Sequence, residues 1–195
     1  MPSERECLQI LEEEGAKRSL LQHVCTVKLI AAEMARRSGA DLPLVLAAAL
    51  LHDLGRTRTQ SVLHVAESVR LARERGLPER LIQVIGRHVA AGFTDEEALA
   101  LGLPPGDYMP RTLEDKIVCH ADNLVKGENG MLTLEEAIRE IERKGHHSTA
   151  ERMRIMHEEL SRACGIDIDR IVLELRSRGI KDPCGEDSDQ PSTRP

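Results

Sequence analysis

Five side chains stand where hydrophobic residues should be, and all five are of the types that bind cations. His23 falls in register with Val27, Ile30 and Met34, so it lies on the apolar stripe of a helix. His52 and Asp53 end the most apolar segment of the chain, VLAAALLHD, just before Gly55. His88 closes the stripe of Leu81, Val84 and Ile85, and Asp122 shares a face with Val118 and Val125. Burying an unpaired carboxylate costs several kcal/mol, and here two would be buried. Neutral imidazoles and two carboxylates around one divalent cation remove that cost.

The elements that must position these groups are helical. Apolar residues recur at 3.6-type spacing throughout, period-2 alternation is nearly absent, and the fold class expected is all-α. Helices are expected over 4–14, 19–38, 43–53, 62–75, 78–89, 94–101, 112–126, 133–144, 148–163 and 167–178, with 103–110 as the clearest loop. Reciprocal N-terminal caps are expected at Ser3/Glu6, Thr94/Glu97, Thr133/Glu136 and Ser148/Glu151. Glycines at 15, 39, 55, 76, 102, 145 and 179 read as left-handed helix stops. Residues 1–180 form one domain, and 181–195 read as a disordered acidic tail.

The composition narrows the function. A chain of 195 residues with 41% hydrophobic residues suffices for one sizeable core. Phe93 and Tyr108 are its only aromatic rings, which argues against a stacking platform for single-stranded nucleic acid. A net charge of −6 argues against a broad nucleic-acid surface. Cysteines at 7, 25, 119, 164 and 184 are odd in number and form no C-x-x-C pair, so reduced thiols, no disulfide framework and a cytoplasmic location are expected. The N-terminus is too charged for a signal peptide, and Leu42 to Leu51 is too short to span a bilayer.

The order His23, His52-Asp53 and Asp122, with LLHDLGR at its centre and A-D-N-L downstream, resembles the HD superfamily of metal-dependent phosphohydrolases, and more closely its HDIG-type branch. The resemblance covers about residues 19–126 and implies a helical HD-domain bundle. In it, His23, His52, Asp53 and Asp122 would hold one divalent cation among Mn, Mg, Ni, Co, Zn and Fe. It also implies a second cation site, for which His64 and His88 match the positions. Val89 stands where a further histidine is often found, and the motif reads HDLGR in place of HDIGK.

The activity so implied is hydrolysis of a small nucleotide or related phosphate mono- or diester by metal-activated water. Asp53 would be the central ligand, Arg56 and Arg58 with Thr57 would bind the phosphate, and Glu67 is a candidate for proton transfer. His120 points about 200° away from Asp122 and reads as exposed. His157 and the His146-His147 pair read as structural. The Glu/Arg-rich helices after residue 126 present an amphipathic face that could cover the site or pair two copies of the chain. Two alternatives use the same bundle: a di-iron oxygenase and a non-catalytic binding module.

Overall fold

A computed structural model describes residues 1–128, 130–180 and 182–185. Among these residues ten α-helices appear in the expected order: α1 (Glu4–Glu13), α2 (Arg18–Ser38), α3 (Leu42–Leu51), α4 (His64–Glu74), α5 (Glu79–Gly86), α6 (Asp95–Ala100), α7 (Leu113–Asn123), α8 (Leu134–Glu142), α9 (His147–Cys164) and α10 (Ile168–Ser177). The all-α reading holds, with two short additions. A 3-10 turn spans Leu54–Thr57, and a small antiparallel hairpin pairs β1 (Val125–Lys126) with β2 (Gly130–Met131). No helix among the described residues is long and apolar enough to cross a membrane.

The caps show why the helices begin where they do. Ser3/Glu6, Thr94/Glu97 and Thr133/Glu136 form the reciprocal pairs, each satisfying orphan N–H groups of a first turn. Ser148/Glu151 does not: α9 starts a residue earlier, at His147, and the Ser148 hydroxyl donates to Glu97 Oε1 at 3.2 Å. A fourth pair appears at Thr112/Asp115, where Asp does the work of the expected Glu.

The long helix α2 is the axis of the bundle. It packs on α3, α7, α9 and α10, burying Val24, Val27, Ile30, Ala31 and Met34. Helix α3 is buried almost all round, with Leu50 and Leu51 wholly inaccessible, and each such leucine contributes about 1.5–3 kcal/mol. The termini of α2, α3, α4, α5 and α7 thereby gather in one region, which the apolar core surrounds. A satellite cluster of Val65, Ala98, Leu103 and Tyr108 underpins the 89–110 segment, with the Tyr108 hydroxyl donating to Pro104 O at 2.8 Å.

Four further expectations are corrected. Cys25 and Cys184 form a disulfide across 159 residues, a pairing that local cysteine spacing does not reveal. Cys7, Cys119 and Cys164 are free and buried. The start of the expected disordered tail is accordingly anchored on α2, while 181 and 186–195 lie outside the described residues. His120 is fully buried, because α9 covers the face of α7 opposite Asp122. Gly55 is no left-handed stop. It lies within the 3-10 turn, where an added Cβ would stand 2.1 Å from His64 O and 2.6 Å from Ser68 N.

Candidate metal centre

His23 projects from the second turn of α2, and His52 follows the last residue of α3. Asp53 precedes the 3-10 turn, His64 opens α4, His88 lies two residues beyond α5, and Asp122 sits one residue from the end of α7. All six converge. His23 Nε2 lies 3.0 Å from Asp122 Oδ1 and 3.6 Å from Asp53 Oδ2, and His52 Nε2 lies 3.4 and 3.7 Å from the same two atoms. On the other side of Asp53, Oδ1 is 3.0 Å from His64 Nε2 and 3.5 Å from His88 Nε2, with the two imidazole nitrogens 3.3 Å apart.

What aims the rings is the backbone. Each Nδ1 meets a carbonyl oxygen: His23 with Gly127 at 3.0 Å, His52 with Ala49 at 2.8 Å, His64 with Ser61 at 2.8 Å and His88 with Ile85 at 2.7 Å. A carbonyl can only accept, so each Nδ1 carries a proton and each Nε2 faces inward, as a lone pair in a neutral ring. Four Nε2 atoms and two carboxylates therefore share a small, largely buried volume, a set that demands positive charge.

Without a cation, His52 itself supplies that charge. Burial opposes a charge on His52, yet the carboxylates of Asp53 and Asp122 raise its pKa to about 9. Burial works against ionised Asp53 and Asp122 too, but the His52 charge and the neighbouring imidazoles hold both well below the usual carboxylate range. His88 is lowered, chiefly by burial. His52 Nε2 and Asp53 Oδ1 are buried without a hydrogen-bond partner. The residues thus fit a divalent cation. Two overlapping groups offer ligand atoms all within 4.8 Å of one another: His23, His52 and Asp122, and His52, Asp53 and His88.

The centre opens on a cleft of about 710 Å³. Arg56 Nε donates to Asp53 Oδ2 at 2.5 Å, placing a guanidinium at the cleft wall beside the centre. Thr57 and Arg58 also line it, although the Thr57 hydroxyl is committed to Leu54 O at 2.8 Å and Arg58 is held by the Glu14 carboxylate. Glu67 is not brought to the cleft. Its carboxylate accepts from Arg70 at 2.9 and 3.0 Å on the outer face of α4. The far wall is formed by Val125, Lys126, Ala137, Glu140, Ile141 and Lys144, so the segment after residue 126 does border the cleft, as its amphipathic pattern allowed, although the pattern did not single out these residues. Sequence reasoning gave no role to Asn123, although it stands in the A-D-N-L motif beside Asp122; it too lines the cleft.

The comparisons agree with this architecture. The HD domain family model matches residues 20–127, more than half of the sequence, and the chain belongs to that family. Among curated relatives, a tRNA (cytidine(56)-2'-O)-methyltransferase of Picrophilus torridus is 42% identical over 175 residues, which are 90% of this chain and 51% of the relative. The protein of that name from Thermoplasma volcanium is 40% identical over 171 residues, 88% of this chain and 50% of its own. The chain thus spans about half the length of these two relatives. An uncharacterized protein of Methanocaldococcus jannaschii is 37% identical over 150 residues, 73% of this chain and 88% of that one. Among solved structures, the HD domain of the Listeria monocytogenes phosphodiesterase PgpH in complex with cyclic-di-AMP superimposes with a TM-score of 0.56 at 13% identity, covering 87% of this chain and 96% of that domain. It shares the fold.

Proposed function

We propose that the chain is a metal-dependent phosphohydrolase acting on a small nucleotide or related phosphate ester. The observation that carries this reading is the inward aim of four Nε2 lone pairs around Asp53 and Asp122 at the floor of an open cleft. His23, His52, Asp53 and Asp122 would hold a first cation, and His64 and His88 with Asp53 would hold a second. When bound, a divalent cation supplies Lewis-acid chemistry, lowering the pKa of a water and polarising a phosphoryl oxygen.

The chain's own residues supply the rest. Asp53 is shared between the two imidazole pairs and fixes their separation. Arg56 Nε holds Asp53 Oδ2, and its guanidinium at the cleft wall would be placed to grip a phosphate bidentately. The imidazoles, protonated on Nδ1 and anchored there, bind without needing to turn. Neither Phe93 nor Tyr108 lines the cleft, so a substrate is recognised through its phosphate and polar groups and not by stacking on them.

The methyltransferase name belongs to chains about twice as long, to half of which this one is similar, so methyl transfer is tested beside hydrolysis. The test is elemental analysis of the purified protein, followed by a screen over aryl phosphates, nucleotides and phosphodiesters, and an assay of methyl transfer from S-adenosylmethionine to tRNA. Hydrolysis that vanishes in Asp53→Ala supports the reading. Methyl transfer without hydrolysis, two irons in a phosphate-inert protein, or stability indifferent to EDTA would each overturn it.

A further inference from the structure

His88 stands outside the helices, in the segment that links α5 to α6. Its ring is anchored on the N-terminal side by Ile85 O at 2.7 Å, and a tight turn follows it directly. Two residues on, Ala90 adopts a φ of 55°, the only described residue other than glycine in the left-handed region. A Cβ is unfavourable there, so something must hold the turn.

Three donors do. The Asn123 side-chain amide and the Cys119 thiol, the latter at 3.1 Å, both donate to the Ala90 carbonyl. Arg152 Nη2 donates to the Gly92 carbonyl at 3.1 Å. The turn closes on itself through Gly92 N to Val89 O at 3.0 Å. Of these donors Asn123 is the one adjacent in sequence to Asp122, a ligand of the first cation, and it also lines the cleft. One residue of α7 therefore supplies the first site, and the next pins the loop that supplies the second.

We propose that Asn123 is a positioning residue: by holding the carbonyl of Ala90, it keeps the 88–92 turn in its left-handed form and so sets His88 for the second cation. The inference rests on the reading that His64, His88 and Asp53 take that ion. Without the Asn123 donor, Ala90 relaxes towards negative φ and draws His88 away, while His23, His52 and Asp122 are untouched. Glycine at position 90 accepts positive φ at no steric cost, so it removes the need for the pin.

The experiment is a Mn2+ titration of the metal-stripped full chain, read by EPR and calorimetry, on wild type, Asn123→Ala, and Asn123→Ala with Ala90→Gly. Wild type is expected to take two ions. Asn123→Ala should keep the first with unchanged affinity and weaken the second about 10–100-fold, the usual loss when a ligand's support is removed. The double variant should recover most of that loss. Two ions bound as in wild type by Asn123→Ala would overturn the proposal. So would equal loss of both ions, or a loss that Ala90→Gly does not repair, since a general structural defect would not respond to glycine at 90. Wild type binding a single ion would refute the two-ion reading, and amide exchange would then decide the clamp separately. In the metal-free protein, Gly92 N–H should exchange at least about tenfold faster in Asn123→Ala and slow again in the double variant. Unchanged exchange would overturn it.

Discussion

Replacing Gly55 by alanine adds one methyl group where the backbones of the 3-10 turn and α4 touch. The new Cβ would stand 2.1 Å from His64 O, 2.6 Å from Ser68 N and 2.8 Å from Glu67 Cβ, all well inside van der Waals contact. Two of these three atoms are backbone, so no flexible side chain can move aside. The first turn of α4 must retreat by roughly 1 Å, which sits at the upper end of overpacking costs, about 3 kcal/mol. It also breaks the 2.8 Å bond from Gly55 N to Ser68 Oγ and carries His64 away from Asp53. For a domain of this size, about 3 kcal/mol lowers the melting temperature by roughly 6–12 °C. Differential scanning calorimetry of the metal-free protein reads the stability, and a Mn2+ titration reads the displaced ligand. A melting temperature within about 2 °C of wild type, with two ions still bound at wild-type affinity, would refute the close-packing argument.

Asp53→Ala is expected to cost more activity than Arg56→Ala, because it removes the carboxylate shared by all four imidazoles and not one guanidinium at the wall; equal losses in steady-state kinetics would contradict that ranking. Chelation should lower the melting temperature by roughly 5–10 °C relative to protein with metal at about 100 times its Kd, since such an ion stabilises by about 2.7 kcal/mol. Reduction of the Cys25–Cys184 bridge, or Cys184→Ser, should destabilise the chain by about 2–4 kcal/mol in chemical denaturation, as loss of a cross-link over a long loop does. Non-reducing mass spectrometry reports directly whether the bridge is present.

The sequence displays the helices clearly because each carries its own evidence: an apolar stripe, a capping pair or a glycine stop. It displays the candidate ligands because a His or Asp interrupts that stripe. His23 and Asp122 are legible on these grounds from α2 and α7 alone. What closes in space leaves no such mark. The expected exposed His120 shares a hydrogen bond with His157 at 3.0 Å inside the bundle, and burial drives its pKa to about 3. Its helix is covered on more than one face, which a single-helix projection does not show. The carbonyls of Ala49, Ser61, Ile85 and Gly127, which orient the imidazoles, are backbone atoms and independent of residue type. Gly55 reads as a stop because glycine serves both turns and close approaches, and only the neighbouring α4 tells them apart.

Labour in this molecule is divided along the chain. Every imidazole and carboxylate of the centre comes from residues 23–122, whereas much of the opposite wall of the cleft comes from residues 125–144. On the proposed reading, exchange of the later segment between relatives should therefore alter which ester is accepted while ion selectivity stays with the recipient. A lineage that varies that segment could thus explore new substrates without rebuilding its chemistry.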